Sequence, residues 1–248
     1  MFIGGTVHVM RAKDYPLPIA YNKAYEKSTA LIFETDMSAM ANPSLAAKIQ
    51  QLLLFGKDTT LQSSVSEVSY KLISKEAQKL GLDINTLSKM RPSGVVLSLT
   101  MAKLMQLGYT APGVDVTYFG KAQQDSLSIG HLEPLEKQMN ILAHLEGEDA
   151  DDFVQHSIKE LHVLKKEIDT LITDWRAGNS SIFQEQILEM QDSTPSMYNV
   201  LLKDRNDDWI NQIEEMVTSP PIEFILVGNM HLFGADGLLE RLQKKGYK

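Results

Sequence analysis

The sequence predicts an α/β fold, rich in helix and organised around a few short central strands, and three observations carry that expectation. Ala30–Phe33 (ALIF) and Phe224–Val227 (FILV) are apolar runs of the length expected for fully buried strands, and polar residues or glycine follow each at once. Between them lie long stretches whose apolar residues recur at helical spacing, as in strands joined through packed helices. The same GxxH spacing, Gly5-Thr6-Val7-His8 and Gly228-Asn229-Met230-His231, closes the first and last strand candidates. In open α/β sheets the carboxyl ends of strands are where functional groups gather, because loops there converge on one crevice.

FIGGTV leads as a strand into His8, and Pro16 and Pro18 then enforce an extended turn ahead of a helix from Ile19 toward Ser28. The ALIF strand delivers Glu34 and Asp36 to its carboxyl end. Pro43–Gly56, with Leu45, Ile49, Leu52 and Leu53, reads as an amphipathic helix, as does Val65–Leu80 with Val68, Leu72 and Ala77. Ile84–Leu87 begins a short helix, and Val95–Leu107 is apolar enough for a buried one, with Met101 and Met105 as core filling. The turn YTAPGVD leads past Asp115 into Val116–Lys121, which fits strand or helix.

Ser126–Ile129 reads as a further short strand, and Glu133 stands just before a helix opening at Pro134, near its positive end. EGEDADD lacks the alternation and glycine of a calcium loop and reads as a solvated helix start. Phe153–Trp175 is a long helix stopped at Gly178, and Ile182–Met190 a shorter one. Tyr198–Val217 is a single helix that sets Arg205 between Leu201 and Trp209, close to its buried side. Pro220 and Pro221 break the chain before the FILV strand, and Leu238, Leu239 and Leu242 mark the last helix. No linker-like stretch divides the chain, so residues 1–248 read as a single domain.

Composition narrows the function. A net charge of −8, without a Lys/Arg cluster, disfavours nucleic acid as the main partner. No apolar run has the ~18 to 20 residues that span a bilayer. With no cysteine, disulfides, thiolate metal sites and cysteine nucleophiles are excluded. GxSxG, HExxH, GxGxxG and Walker loops do not occur.

If their strands are neighbours, His8, Glu34, Asp36 and His231 converge, and imidazole with carboxylate suits a divalent Mn, Co, Zn or Fe ion. His8, His231 and Glu34 are the candidate ligands, Glu34 doubling as general base. Asp36 is the weaker member, since its short side chain serves equally as a helix cap. Gly5 and Gly228, three residues before each histidine, would let backbone or ligand approach closely. Arg205 would offer a fixed cation to an oxyanion or a substrate carboxylate. His131, His144, His156 and His162 lie on or beside amphipathic helices and are set aside; Trp175, Trp209 and Tyr198 read as packing residues.

The segments FIGGTVHVMRAKDYPLP, LIFETD, MRPSGVVLSLTMAKL, PGVD, GHLEPLEKQ, DWRAGN, LLKDRNDDW and VGNMHLFGADGLLERLQKKGY, in that order, resemble the TraB/PrgY/GumN family, which includes the TIKI metalloproteases. The resemblance implies a fold akin to the erythromycin-esterase and ChaN group. It places the family's motif residues on Gly5, His8, Glu34, Glu133, Arg205, Gly228 and His231. It also implies metal-dependent peptide cleavage, with Glu133 as a second carboxylate that orients a histidine or shuttles a proton. The alternative is capture of a peptide or haem without turnover, since related families include a haem binder and proteins that restrain peptide pheromones. Two departures stand out: His131 and Pro134 occupy positions where the family usually has glycine and threonine, and the chain starts inside the first GxxH segment. The expectation is an extracytoplasmic protein of the bacterial periplasm or envelope, acting on a peptide or protein substrate.

Overall fold

The structure is a computed structural model that describes residues 1–145, 150–218 and 220–247, apart from the side chains of Met40 and Ala41. Among the described residues there are six strands: β1 (Phe2–Thr6), β2 (Val9–Met10), β3 (Ala30–Thr35), β4 (Ala111–Pro112), β5 (Ser128–Glu133) and β6 (Glu223–Gly228). Four form one sheet in the order β1-β6-β3-β5, with every pair parallel, and β2 pairs with β4 antiparallel. An α/β architecture is the result. Because the sheet is parallel, its strands end on one side, and the register fixes what meets there. Thr6 lies opposite Gly228, and Thr35 opposite Glu133, so the two GxxH turns and the two glutamate-bearing strands open onto the same edge.

The chain forms two compact units. The first comprises Met1–Met37, Thr110–Leu135 and Asp169–Lys248, and the second Ser38–Tyr109 and Glu136–Ile168. The first holds the sheet. Parallel strands covered on both faces read as unbroken apolar runs, and Phe224, Ile225, Leu226 and Val227 are all at most 2% exposed. Alternation sends Ile225 and Val227 to one face, into a cluster with Ile32, Leu132, Trp209, Ile213, Leu238 and Leu242. Phe224 turns to the other, where Tyr21 and Tyr118 meet its ring with centroids 6.0 and 5.9 Å away. The second unit packs Leu61, Ile73, Ala77, Leu87, Val95, Leu99, Val154, Ile158 and Leu161 into its own helical core.

Several elements differ from their sequence expectation. The ambiguous stretch after PGVD is a helix, Val114–Gln124. β5 begins and ends later than SLSI suggests, because backbone pairing with β3 carries it through Glu133. The segment expected as one helix from Tyr198 is Pro195–Tyr198, a π-helical turn Asn199–Lys203 and Asp204–Thr218. The expected Val65–Leu80 helix is present as Glu67–Lys79, but Val68, expected on its apolar side, is 61% exposed. Pro92–Gln106 buries Val95, Leu99 and Leu104, whereas Met101 and Met105, expected as core filling, are 45% and 65% exposed. Hydrophobicity all round that helix hid which stripe faces the core. Of EGEDADD, residues 146–149 lie outside the described residues, and Asp151 and Asp152 stand in the first turn of the helix Ala150–Ala177. No described helix is long and apolar enough to cross a membrane.

Burial sets the expected cost of substitution. Ile225→Ala, at a fully buried position in a central strand, should lower unfolding stability by about 2–5 kcal/mol in urea titration. Met105→Ala should stay within about 0.5 kcal/mol.

Candidate functional site

The buried centre of the strand-end cluster is Arg205. The π-helical turn Asn199–Lys203 immediately precedes its helix, and the added residue rotates the phase of the downstream helix by about 100°. Arg205 and Trp209, four residues apart, share one face, and the guanidinium lies over the indole with its carbon 4.6 Å from the ring centroid. Arg205 Nε donates to Glu133 Oε1 at 2.8 Å, and Nη2 donates to Glu34 Oε2 at 2.5 Å while lying 2.7 Å from Glu133 Oε1. Nη1 donates to the Leu201 carbonyl at 3.2 Å and to His231 Nε2 at 3.0 Å. Every nitrogen of the guanidinium is thus engaged inside the protein. In this arrangement Arg205 organises the glutamates and the histidine and keeps no N–H for a substrate oxyanion.

His231 sits in the 3-10 turn Asn229–Leu232 after β6, buried, its ring 4.5 Å from that of Trp209. Asn206 fixes its tautomer. The Asn206 amide nitrogen donates to the carbonyls of His231 and Asp236 at 3.2 and 2.9 Å, which leaves Oδ1 to accept from His231 Nδ1–H at 2.7 Å. The Nε2 lone pair therefore points inward. Burial, with the positive charges of Arg205 and His8 and against the pull of Glu34, lowers the His231 pKa to about 4.

Glu34 is buried on β3. Its Oε1 accepts from the Gly228 backbone N–H and lies 4.0 Å from His231 Nε2. Burial opposes its charge, but His231 when protonated, Arg205, His8 and the Gly228 amide outweigh it and bring its pKa to about 2. Glu133 is buried as the last residue of β5, while His131 two residues earlier is exposed, so the departure at His131 leaves the glutamate in place. Asp36, one residue past β3, is half-buried.

His8 follows β1 and keeps 60% of its side-chain surface exposed. Its Nδ1 donates to Asp115 Oδ2 at 3.1 Å, and among the described residues its Nε2 has no hydrogen-bond partner. The crowding of surrounding protein opposes a charge on His8. The Asp115 hydrogen bond, with the attraction of Asp115 and Glu34 and against Arg205, still raises its pKa to about 9. Gly113 brings Asp115 there: a Cβ on it would stand 2.5 Å from the His8 carbonyl oxygen and 2.7 Å from Asp115 Oδ1. Gly228 marks the meeting point. A Cβ on it would lie 2.9 Å from Glu34 Oε1, 3.6 Å from His231 Cδ2 and 3.8 Å from His8 Nε2, so three of the expected residues face one spot that glycine leaves open.

Asp115 and Asn206 were not among the sequence candidates. PGVD and the Asn206 that follows Arg205 held the signal, but helix Val114–Gln124 had no clear period, and the partner of each histidine comes from a distant segment.

For a divalent ion the donors fit in part. Their types are those of a borderline metal, and Glu34 Oε1 and His8 Nε2 face one spot. His231 Nε2, by contrast, is bonded to Arg205. As the side chains stand, no group of three or more His, Asp or Glu residues among the described residues is arranged to hold a metal ion.

Fold and site together define an α/β protein with a charged histidine–carboxylate–arginine cluster at the carboxyl ends of a parallel sheet. The chain belongs to the TraB/PrgY/gumN family, whose sequence model matches residues 1–248, the whole chain. Searches of the curated proteins and of the solved structures found no match.

The depressed His231 pKa gives stability a pH dependence with a definite sign. Between pH 6.5 and about 4 the unfolded chain binds a proton at this position that the folded chain resists. Its contribution is therefore complete above pH 6.5 and is lost as pH falls through this window, on the order of 2 kcal/mol by pH 4.5. Denaturant titrations at pH 7 and 4.5 should show that loss in the wild type and a smaller one in His231→Gln.

Proposed function

We propose that the chain is a hydrolase that cleaves peptide bonds with the help of a divalent ion held by His8 and Glu34, with His231 as the third ligand once Arg205 releases its Nε2. The observation that supports this reading most is the tethering of both GxxH histidines. Each donates Nδ1–H to an oxygen on a distant segment, Asp115 or Asn206, and each keeps Nε2 for the cluster. Metal-binding imidazoles are held and tuned in this way. Charge supports it too. The carboxylates of Glu34, Glu133 and Asp115 outnumber the single guanidinium of Arg205, a surplus that holds a proton on His8 and that a divalent cation displacing this proton would balance.

When bound, such an ion supplies a water of lowered pKa, available as hydroxide near neutral pH. The rest falls to residues of the chain. Asp115 and Asn206 hold the rings in the tautomer that presents Nε2. Glu34 stays ionised through the neutral range because its pKa is held near about 2. Arg205 pins Glu34 and Glu133 so that neither carboxylate rotates away, and Gly228 leaves the space a reacting carbonyl needs. The choice of peptide bonds rests on the family resemblance.

Metal analysis and hydrolysis of a quenched fluorescent peptide library, after reconstitution with Zn, Mn, Co or Fe, test the reading. About one ion per chain and peptide cleavage are expected, with cleavage reduced at least about 100-fold in His8→Ala and in His231→Ala. Absence of bound ion and cleavage with every metal, or retention of both in the two variants, would contradict it.

A further inference from the structure

Beside β1, on the edge of the sheet, lies a cavity of about 540 Å³. That is within the range of about 300–1,000 Å³ usual for ligand sites. Tyr21, Trp175 and Phe224 wall it from one face of the strand, and Leu232 and Phe233 close it from the other. The one side of β1 that β6 leaves uncovered faces this space. Part of that edge is already occupied, because the Gly5 carbonyl accepts from Trp175 Nε1 at 2.8 Å and from the Tyr21 hydroxyl. Phe2, Ile3 and Gly4 have no strand partner on that side among the described residues and remain half-buried.

Of the polar side chains that line this space, Tyr21, Arg176 and Asn179 are bonded within the protein, and Asn229 is not. Asn229 is 8% exposed, and its amide makes no hydrogen bond with a described residue. The amide is left open to the space, where a ligand can meet it. Gly5 makes the room: a Cβ on it would overlap Asn229 Oδ1 and lie 3.0 Å from Asn229 Cα. A carboxamide offers a donor and an acceptor side by side, the complement of a peptide group. Asn229 adjoins Gly228 and stands two residues before His231, so the turn after β6 carries a residue of the cavity and a residue of the strand-end cluster.

We propose that this cavity is a subsite for an extended, apolar stretch of peptide. The main chain of that stretch runs along the Phe2–Gly4 edge, one of its peptide groups pairs with the Asn229 amide, and an apolar side chain enters the aromatic wall. Edge-strand addition supplies affinity through the backbone, and the pocket supplies selectivity. The choice of ligand rests on the peptide-hydrolase reading above; the subsite itself rests on Asn229, Gly5 and the cavity.

The test uses the full chain carrying His8→Ala, to separate binding from turnover, and a fluorescein-labelled hexapeptide Lys-Val-Phe-Val-Thr-Lys followed by anisotropy. Saturable binding is expected. It should weaken at least about tenfold with Asn229→Ala, with Ala20→Trp, which fills the cavity from an exposed helix position, and with N-methylation of both valines. Thermal melts establish that both variants are folded. No saturable binding up to about 1 mM, binding unchanged by both variants, or equal binding of the N-methylated peptide would overturn the proposal. The two readings fail separately. Cleavage of library peptides with KM unchanged by Asn229→Ala and Ala20→Trp would remove the subsite and keep the hydrolase; binding as expected with no peptide cleaved would do the reverse.

Discussion

A guanidinium buried between two carboxylates and an imidazole is the contact on which the rest of this site depends. Glu34 and Glu133 come from neighbouring parallel strands, and the register that sets Thr35 opposite Glu133 brings their charges together inside the fold. Buried like charges are costly unless a counter-charge meets them with good geometry. Arg205 meets both and, through Nη1, also takes the lone pair of His231. Its own position depends on Trp209 beneath it and on the π-helical turn before it. Arg205, Asn206 and Trp209 on one helix therefore serve a single end: the first neutralises the glutamates, the second sets the His231 tautomer, and the third supports both the guanidinium and the imidazole.

An arginine with every nitrogen engaged is a structural cation, so a ligand approaching the cluster meets the groups left open toward solvent. His8 Nε2 and the space over Gly228 are on the solvent side of the cluster and meet that condition. His231 belongs to the closed side, available to a ligand only in exchange for its bond to Arg205. The exposed histidine and the buried one, related by the same GxxH spacing, are thus unlike in readiness although alike in their Nδ1 tether.

Much of this was legible in the sequence, and the reasons differ by residue. The FILV and ALIF strands could be read because parallel, doubly covered strands leave unbroken apolar runs, and the GxxH spacing marked where the first and last strands end. Glu34, Glu133, Arg205, His8 and His231 were found as strand-end or motif residues, and they do gather in one region. What was missed depends on pairing between distant segments. β5 reaches Glu133 because of its ladder with β3, which no local pattern records. Asp115 and Asn206 matter only through the histidines they hold, and Asn229 only through its contact with Gly5. The exposure of Met101 and Met105 escaped because a helix apolar on every side does not declare its buried stripe.

The most direct test of the central claim is the unfolding stability, at pH 7, of Arg205→Met compared with Arg205→Met combined with Glu34→Gln and Glu133→Gln. If Arg205 is there to neutralise the two carboxylates, the single variant loses about 3–5 kcal/mol and the triple variant recovers most of it. A single variant within about 1 kcal/mol of the wild type, or a triple variant no more stable than the single, would contradict the account.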